Sequence, residues 1–365
     1  MLNEQFIPNS YSQKPDKGNV SWQSPSNIAL VKYWGKYGEQ LPKNASISYT
    51  LSNCHTQTTL SYTKKPSQGF DFEVYFDGKR ELGFEPKIAK FFERVEFYLP
   101  FLKEYKFKIE TTNSFPHSSG IASSASGMSA LACCLVSIEK SLQSSSTTQL
   151  DGTLSAGEIQ KASFLARLGS GSACRSIEGD LIVWGEHPDI DGSSNLFGIK
   201  YPYSVHENFK NYQDTILLVD KGEKQVSSTV GHDLMHSHPF AKQRFQQANK
   251  NLSKLIPVLK NGELAEFIKI VESEALSLHA MMLTSMPYFI LMKPNTLEII
   301  NRIWSFRKET KSNVCFTLDA GSNVHVLYPA AEKASVVSFI EKKLAAFCKN
   351  GEFIHDQAGF GAKEI

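Results

Sequence analysis

Three short segments of this 365-residue chain concentrate the residue types that hold small anions and move protons. The first, SFPHSSGIASSASG at 114–127, is dominated by Ser, Gly and Ala. Small side chains let the backbone approach a phosphate closely, and the free N–H groups and dipole of a following helix favour negative charge. Ser123, Ser124 and Ser126 add hydroxyls able to donate to phosphate oxygens or ligate Mg²⁺. The same composition also suits an ordinary helix start that packs closely, and the absence of GxxxxGKS excludes a Walker-type loop. The second segment, GSGSACRS at 169–176, clusters Ser170, Ser172 and Arg175 with two glycines. The planar donors of Arg175 match a carboxylate or phosphate, although a glycine turn with a surface arginine reads the same way. The third, FTLDAGSN at 316–323, delivers Asp319 from an apolar strand into a small-residue turn. A carboxylate there loses solvation unless it has a partner, so Asp319 is either a catalytic group or a turn cap.

These segments need a frame. β-Branched and aromatic runs at 27–34, 45–51 and 56–62 predict strands. Residues 70–76 alternate and lead into Asp77-Gly78, a hairpin signal. Ile88, Phe91, Phe92, Val95, Tyr98 and Leu99 recur at helical spacing and predict a helix ending near Pro100. A strand at 105–112 feeds the first segment, and an apolar helix leaves it and runs to about Gln143. Residues 143–157 read as a polar surface connection. A helix at about 157–168 feeds the second segment, and the strand DLIVWGE leaves it. The loop 187–211 marks a boundary, which divides the chain into a flexible arm at 1–20 and domains at 21–205 and 206–365. The second half predicts strands at 214–220, 313–318 and 324–329 and helices at 238–260, 262–283, 294–309 and 331–348. Loosely alternating elements with early antiparallel hairpins indicate an α+β fold rather than a doubly wound one.

Composition narrows the functional classes. A chain that is 41% hydrophobic and 21% charged has enough apolar content for a sizeable core. Lys+Arg 39 against Asp+Glu 37 gives no global electrostatic case for nucleic acid or an anionic membrane. No apolar run approaches a membrane span, and the polar first 20 residues do not read as a secretory signal. Cysteines at 54, 133, 134, 174, 315 and 348 show no CxxC spacing, which predicts buried free thiols in a reducing cytoplasm.

Taken together, the three segments resemble the GHMP kinases. PHSSGIASSASG is similar to the central phosphate loop of that superfamily. Within it, SPSNIALVKYWGKYGEQLPKNASISYTLS at 24–52 resembles the opening motif of the diphosphomevalonate decarboxylase family. RLGSGSACRSIEGDLIVW at 167–184, KQVSSTVGH at 224–232 and FTLDAGSN resemble three further motifs of that family, in order. The resemblance implies a two-domain GHMP fold, with a ribosomal-protein-like N-terminal domain and a ferredoxin-like C-terminal domain. It implies ATP and Mg²⁺ as cofactors, a homodimer, and no nucleic-acid or membrane partner. The implied reaction phosphorylates the tertiary 3-hydroxyl of mevalonate 5-diphosphate, then releases phosphate and CO₂ to leave isopentenyl diphosphate.

Roles follow from the resemblance, motif by motif. Asp319 would accept or orient the 3-hydroxyl proton, and Lys32 would neutralise the substrate carboxylate or hold Asp319. Tyr33, Lys36, Ser170, Ser172 and Arg175 would bind the substrate's diphosphate and carboxylate. Asn27 would help orient Lys32, and Ser228 would face nucleotide or substrate. Asn113, Ser118, Ser119, Gly120, Ser123, Ser124 and Ser126 would surround the ATP phosphates, with Ser123 or Ser124 near Mg²⁺. The chain departs from the family pattern at Ser24, His117, His232 and Ser322. Competing readings are an enzyme of mevalonate 5-phosphate, a 3-kinase that does not decarboxylate, and a non-catalytic nucleotide sensor. A damaged third motif would favour the sensor, and FTLDAG is intact.

Overall fold

The two larger sheets, each built mainly from one half of the sequence, meet along a shared apolar seam. The computed structural model describes residues 3–116, 121–143, 153–220 and 228–365, with the main chain alone at 228 and 229. The first half runs β1 (Lys17–Val31), a small hairpin of β2 (Lys36–Tyr37) and β3 (Leu41–Pro42), then β4 (Ser46–Lys64), β5 (Asp71–Phe76) and β6 (Lys79–Arg80). Helix α1 (Glu85–Val95), strand β7 (Tyr105–Asn113), helices α2 (Ser123–Gln143) and α3 (Ala156–Gly169), and strands β8 (Leu181–Trp184) and β9 (Gly198–Lys200) follow. The second half contains β10 (Gln213–Leu217), α4 (Ser228–Asp233), α5 (Ala241–Asn261), α6 (Leu264–Leu283) and α7 (Pro294–Thr310). It continues with β11 (Cys315–Thr317), β12 (Val324–Tyr328), α8 (Lys333–Phe339), β13 (Phe353–Gln357) and β14 (Lys363–Glu364).

The first sheet has the order β14-β1-β4-β7-β5-β6, with β8 and β9 attached to β4. Among the described residues, only the β5–β7 pair is parallel in this sheet. The second sheet, β11-β12-β10-β13, is antiparallel throughout. This is an α+β architecture, as the pattern of elements predicts. Phe92, Val95, Leu99, Leu131, Leu135 and Phe164 form a core over the first sheet. A second cluster joins Ile28, Leu30, Ile47 and Tyr49 of the first sheet to Ile216, Leu255, Phe267 and Val271 of the second half. That seam fixes the two halves against each other. Among the described residues no helix is long and apolar enough to cross a membrane. All six cysteines are free and buried.

Some elements differ from expectation. The polar stretch before residue 27 is already strand, because the ladder from Lys17↔Thr63 to Pro25↔His55 supplies its hydrogen bonds whatever its side chains. The predicted strands 45–51 and 56–62 are one strand, β4, interrupted opposite Ser26 by a bulge. There the N–H groups of Ser52, Asn53 and Cys54 donate to the Asp356 carboxylate at 2.8, 2.9 and 2.7 Å. β13, which carries Asp356, was not predicted. The last predicted helix becomes a π turn at Ile340–Leu344. The chain also returns to the first sheet at its end, through β14 on β1.

The N-terminal arm, expected to be flexible, is seated. Phe6 is buried, with its ring 4.6 Å from Phe164 and 6.4 Å from Phe197. Ser12 and Gln13 each donate a backbone N–H to Leu142 O at 2.9 Å. Two aromatic residues, Phe6 and Tyr11, anchor a polar sequence in this way. Phe6→Ala should lower the unfolding free energy by about 3 kcal/mol in a denaturant titration. A change below about 0.5 kcal/mol would mean that the arm carries no stability.

Candidate active site

The chain leaves β1 at Val31 and turns sharply through Lys32–Gly35. Gly35 has φ +92, and a Cβ there would lie 2.8 Å from the Phe245 ring, so glycine is required at this bend. The bend buries Lys32 to 1% exposure. Its Nζ donates to Asp319 Oδ1 at 2.9 Å. Asp319 arrives from the opposite side: β11 is fully buried, Leu318 follows in the core, and the turn closes with Gly321 N–H donating to Asp319 O at 2.7 Å. Burial pushes the Lys32 ammonium below its usual pKa, and Asp319 pulls it back up.

Arg175 lies in a 3-10 turn at the end of α3, 3% exposed. Its Nη1 donates to Ser46 Oγ at 2.7 Å and its Nη2 to Asn27 Oδ1 at 3.4 Å. Its guanidinium carbon lies 5.7 Å from the Trp184 ring centroid, and its Nε is buried without a hydrogen-bond partner among the described residues. Burial depresses its pKa, and the charges of Arg175, Lys32 and Asp319 act on one another. A desolvated guanidinium with an unused donor is costly alone, and an anion relieves that cost. Asn27 does not reach Lys32 as expected. Its Nδ2 donates to Ser176 Oγ at 2.7 Å and to Ser172 O at 3.3 Å, so it braces the Arg175 turn instead.

The beginning of α2 faces that turn. Ser124 is exposed, and its Oγ lies 3.4 Å from Ser170 Oγ, so hydroxyls of the first two segments meet. Gly171 is obligatory here, since a Cβ would come within 2.9 Å of both Tyr33 Oη and the Trp184 ring. Ser123 and Ser172 are half-buried. Ser126 is a correction: it is fully buried, and its hydroxyl pairs with Thr56 Oγ1 at 2.6 Å. Thr56 in turn donates to Asn113 Oδ1 at 2.7 Å, so both residues brace the helix on the sheet. Ser118, Ser119 and Gly120, with His117, lie outside the described residues, as does the Ser228 side chain. Among the described residues no three His, Cys, Asp or Glu side chains cluster as metal ligands. The Ser123 and Ser124 hydroxyls on this wall suit a Mg²⁺ ion that arrives bound to phosphate, with waters completing its shell.

Tyr33 is buried between the Trp184 ring at 4.6 Å and the His232 ring at 4.2 Å. His232, a departure with no assigned role in the sequence, accepts the Gly35 N–H on Nδ1 at 3.0 Å and also packs on Trp34 at 4.6 Å. Lys36 lies half-buried on β2, its pKa lowered by burial and raised by Asp233. Three supporting residues lie outside the sequence motifs, Arg244, Glu274 and His279, and a fourth, Asn44, lies within the opening one. Asn44 Nδ2 donates to Lys32 O at 3.0 Å. Glu274 had a visible signal, a carboxylate four residues from both Ile270 and Leu278 on the apolar stripe of α6.

Burial holds His232 at a pKa of about 3 and His279 at about 4. Both are neutral in the fold at pH 5, whereas in the unfolded chain, with pKa near the usual ~6.5, both bind protons. Stability is therefore complete above about pH 6.5 and falls on acidification, by about 2 kcal/mol per histidine between pH 7 and pH 5. The check is an NMR titration of the ring protons together with unfolding at both pH values. Titration midpoints near 6.5 in the folded protein would contradict it.

Residues 24–195 match the family model of the diphosphomevalonate decarboxylase-like N-terminal domain. Residues 215–362 match that of the mevalonate 5-diphosphate decarboxylase C-terminal domain. The diphosphomevalonate decarboxylase of Saccharomyces cerevisiae is 30% identical over 342 residues, covering 88% of this chain and 81% of its own. The crystal structure of a mevalonate diphosphate decarboxylase from Legionella pneumophila is 28% identical, with a TM-score of 0.75 over 92% of this chain and 100% of that one. A structure of MDDEF in complex with MVAPP, AMPPCP and magnesium is 27% identical, with a TM-score of 0.79 over 96% of this chain and 99% of that one. The chain belongs to the diphosphomevalonate decarboxylase family.

Proposed function

We propose that the chain converts mevalonate 5-diphosphate and ATP to isopentenyl diphosphate, ADP, phosphate and CO₂, with Asp319 as the proton acceptor. The observation that carries this reading is the Lys32–Asp319 pair, 2.9 Å apart and within electrostatic reach of the buried Arg175. A tertiary alcohol is a hindered, weak nucleophile. Asp319 takes its proton as the oxygen forms a bond to the γ-phosphorus of ATP and the bond to ADP breaks. Lys32 keeps Asp319 ionised until then. The C3–O bond then breaks and its electron pair leaves with phosphate. The C1–C2 pair of the carboxylate end becomes the C2=C3 double bond as CO₂ departs.

Arg175, with Tyr33, Lys36, Ser170 and Ser172 around it, binds the carboxylate and diphosphate of the substrate. A guanidinium suits both anions, since it pairs bidentately and remains charged when buried. Ser123 and Ser124, at the N-terminus of α2, hold the ATP phosphates, with Ser118, Ser119 and Gly120 assigned to the same site from the motif alone, and Ser228, also from its motif, facing nucleotide or substrate. Mg²⁺, when bound with the nucleotide, supplies charge neutralisation for the phosphates, and the Ser123 or Ser124 hydroxyl is its protein ligand. Cytoplasmic residence agrees with six free, buried thiols.

Asp319→Asn keeps shape and hydrogen bonding while removing the basic oxygen. Turnover should fall by about 10²–10⁴-fold, with ATP and mevalonate 5-diphosphate binding nearly as in wild type. ADP and CO₂, measured in parallel, should appear one for one in wild type and fall together in the variant. ADP without CO₂ in wild type would identify a 3-kinase, turnover on mevalonate 5-phosphate alone would identify a monophosphate enzyme, and full turnover in the variant would make Asp319 structural.

A further inference from the structure

The two reacting partners, Lys32 and Asp319, come from different sheets, yet one helix holds the backbone of both. Glu274 and His279 lie five residues apart on α6, about 7.5 Å along its axis. Glu274 Oε2 accepts the Lys32 backbone N–H at 2.9 Å. His279 Nε2 lies 3.1 Å from the Asp319 carbonyl oxygen. A carbonyl only accepts, so this contact requires the proton on Nε2. Neither bond touches a reacting atom, and each fixes the main chain from which a reacting side chain projects.

Glu274 is itself immobilised. Its side chain is fully buried, and Arg244 of α5 grips both its oxygens: Nη1 donates to Oε1 at 3.1 Å and Nη2 makes a short ion pair with Oε2. Asn251 Nδ2 donates to Oε1 at 2.6 Å. Arg244 is equally buried. A buried ion pair contributes little net stability relative to apolar replacement, and its best-attested use is to fix geometry. Here the charged acceptor makes a stronger bond to the Lys32 N–H than a neutral oxygen would. Ala275 and Leu276 of α6 pack in the same cluster as Phe316 and Leu318, which seats the helix against the strand leading to Asp319.

We propose that α6 is the alignment element of the active site, with Glu274 and His279 as positioning residues that set the separation of Lys32 and Asp319. The proposal rests on the reading of Lys32 and Asp319 given above. A displacement of about 1 Å at a reacting group can reduce a rate by about 10²-fold without loss of binding. The effect of losing either bond therefore belongs in kcat and not in affinity.

The test compares Glu274→Gln, His279→Leu and His279→Gln with wild type in ADP and CO₂ release from mevalonate 5-diphosphate. Rates are normalised to nucleotide sites counted by equilibrium binding, which removes any unfolded fraction. Glu274→Gln and His279→Leu should lose about 10–100-fold in kcat, with dissociation constants for ATP and mevalonate 5-diphosphate within about 3-fold. His279→Gln, which retains a donor, should recover most of the kcat lost in His279→Leu. Equal kcat in His279→Leu and wild type, or equal losses in His279→Leu and His279→Gln, would overturn the proposal even if Glu274→Gln does not fold. An inactive wild type would instead refute the assigned reaction.

Discussion

A single ion pair, Lys32 Nζ to Asp319 Oδ1, spans 287 residues of sequence and joins the end of the first sheet to a turn of the second. Lys32 is almost wholly desolvated, while the Asp319 side chain keeps 30% of its surface exposed. The cation therefore bears most of the desolvation penalty, and the carboxylate stays open to solvent. Such a pair breaks if either half moves by an ångström or two, because Coulomb attraction and hydrogen-bond geometry fail together. The surrounding structure has to prevent that movement.

Non-directional and directional forces share this task. The apolar seam of Ile28, Leu30, Ile47 and Tyr49 against Ile216, Phe267 and Val271 presses the halves together. Burial of this kind sets no register. Register comes from carboxylates of the second half that capture backbone N–H groups of the first. Asp356 takes three from the β4 bulge, and Glu274 takes one from the β1 bend. Asp356 and Glu274 thus sit where the two sheets must be aligned.

Much of this was legible in the sequence, and what was not has identifiable causes. The Gly, Ser and Asp content of the three chemistry-bearing segments declares them in the sequence, and in the structure Ser124 lies beside Ser170, Lys32 pairs with Asp319, and Arg175 is within electrostatic reach of Asp319. β4 was read as two strands because Ser52-Asn53-Cys54 resembles a turn, whereas a carboxylate 302 to 304 residues away satisfies its amides. Ser126 looked like its neighbours in composition, but its place on the helix turns it inward to Thr56. The arm looked flexible because two aromatic anchors, Phe6 and Tyr11, are diluted among polar residues. In each case a long-range partner decided the outcome, and no local pattern encodes it.

In the proposed mechanism Lys32 and Asp319 act as one unit. A double-mutant cycle on single-turnover ADP formation tests it directly, using Lys32→Met, Asp319→Asn and the double variant, each normalised to nucleotide-binding sites. Groups that work as a unit are strongly non-additive, since losing one already removes what the other contributes. The double variant should be about as slow as the slower single variant. Losses that multiply, so that the double variant falls by the product of the two single effects, would show independent groups and contradict it.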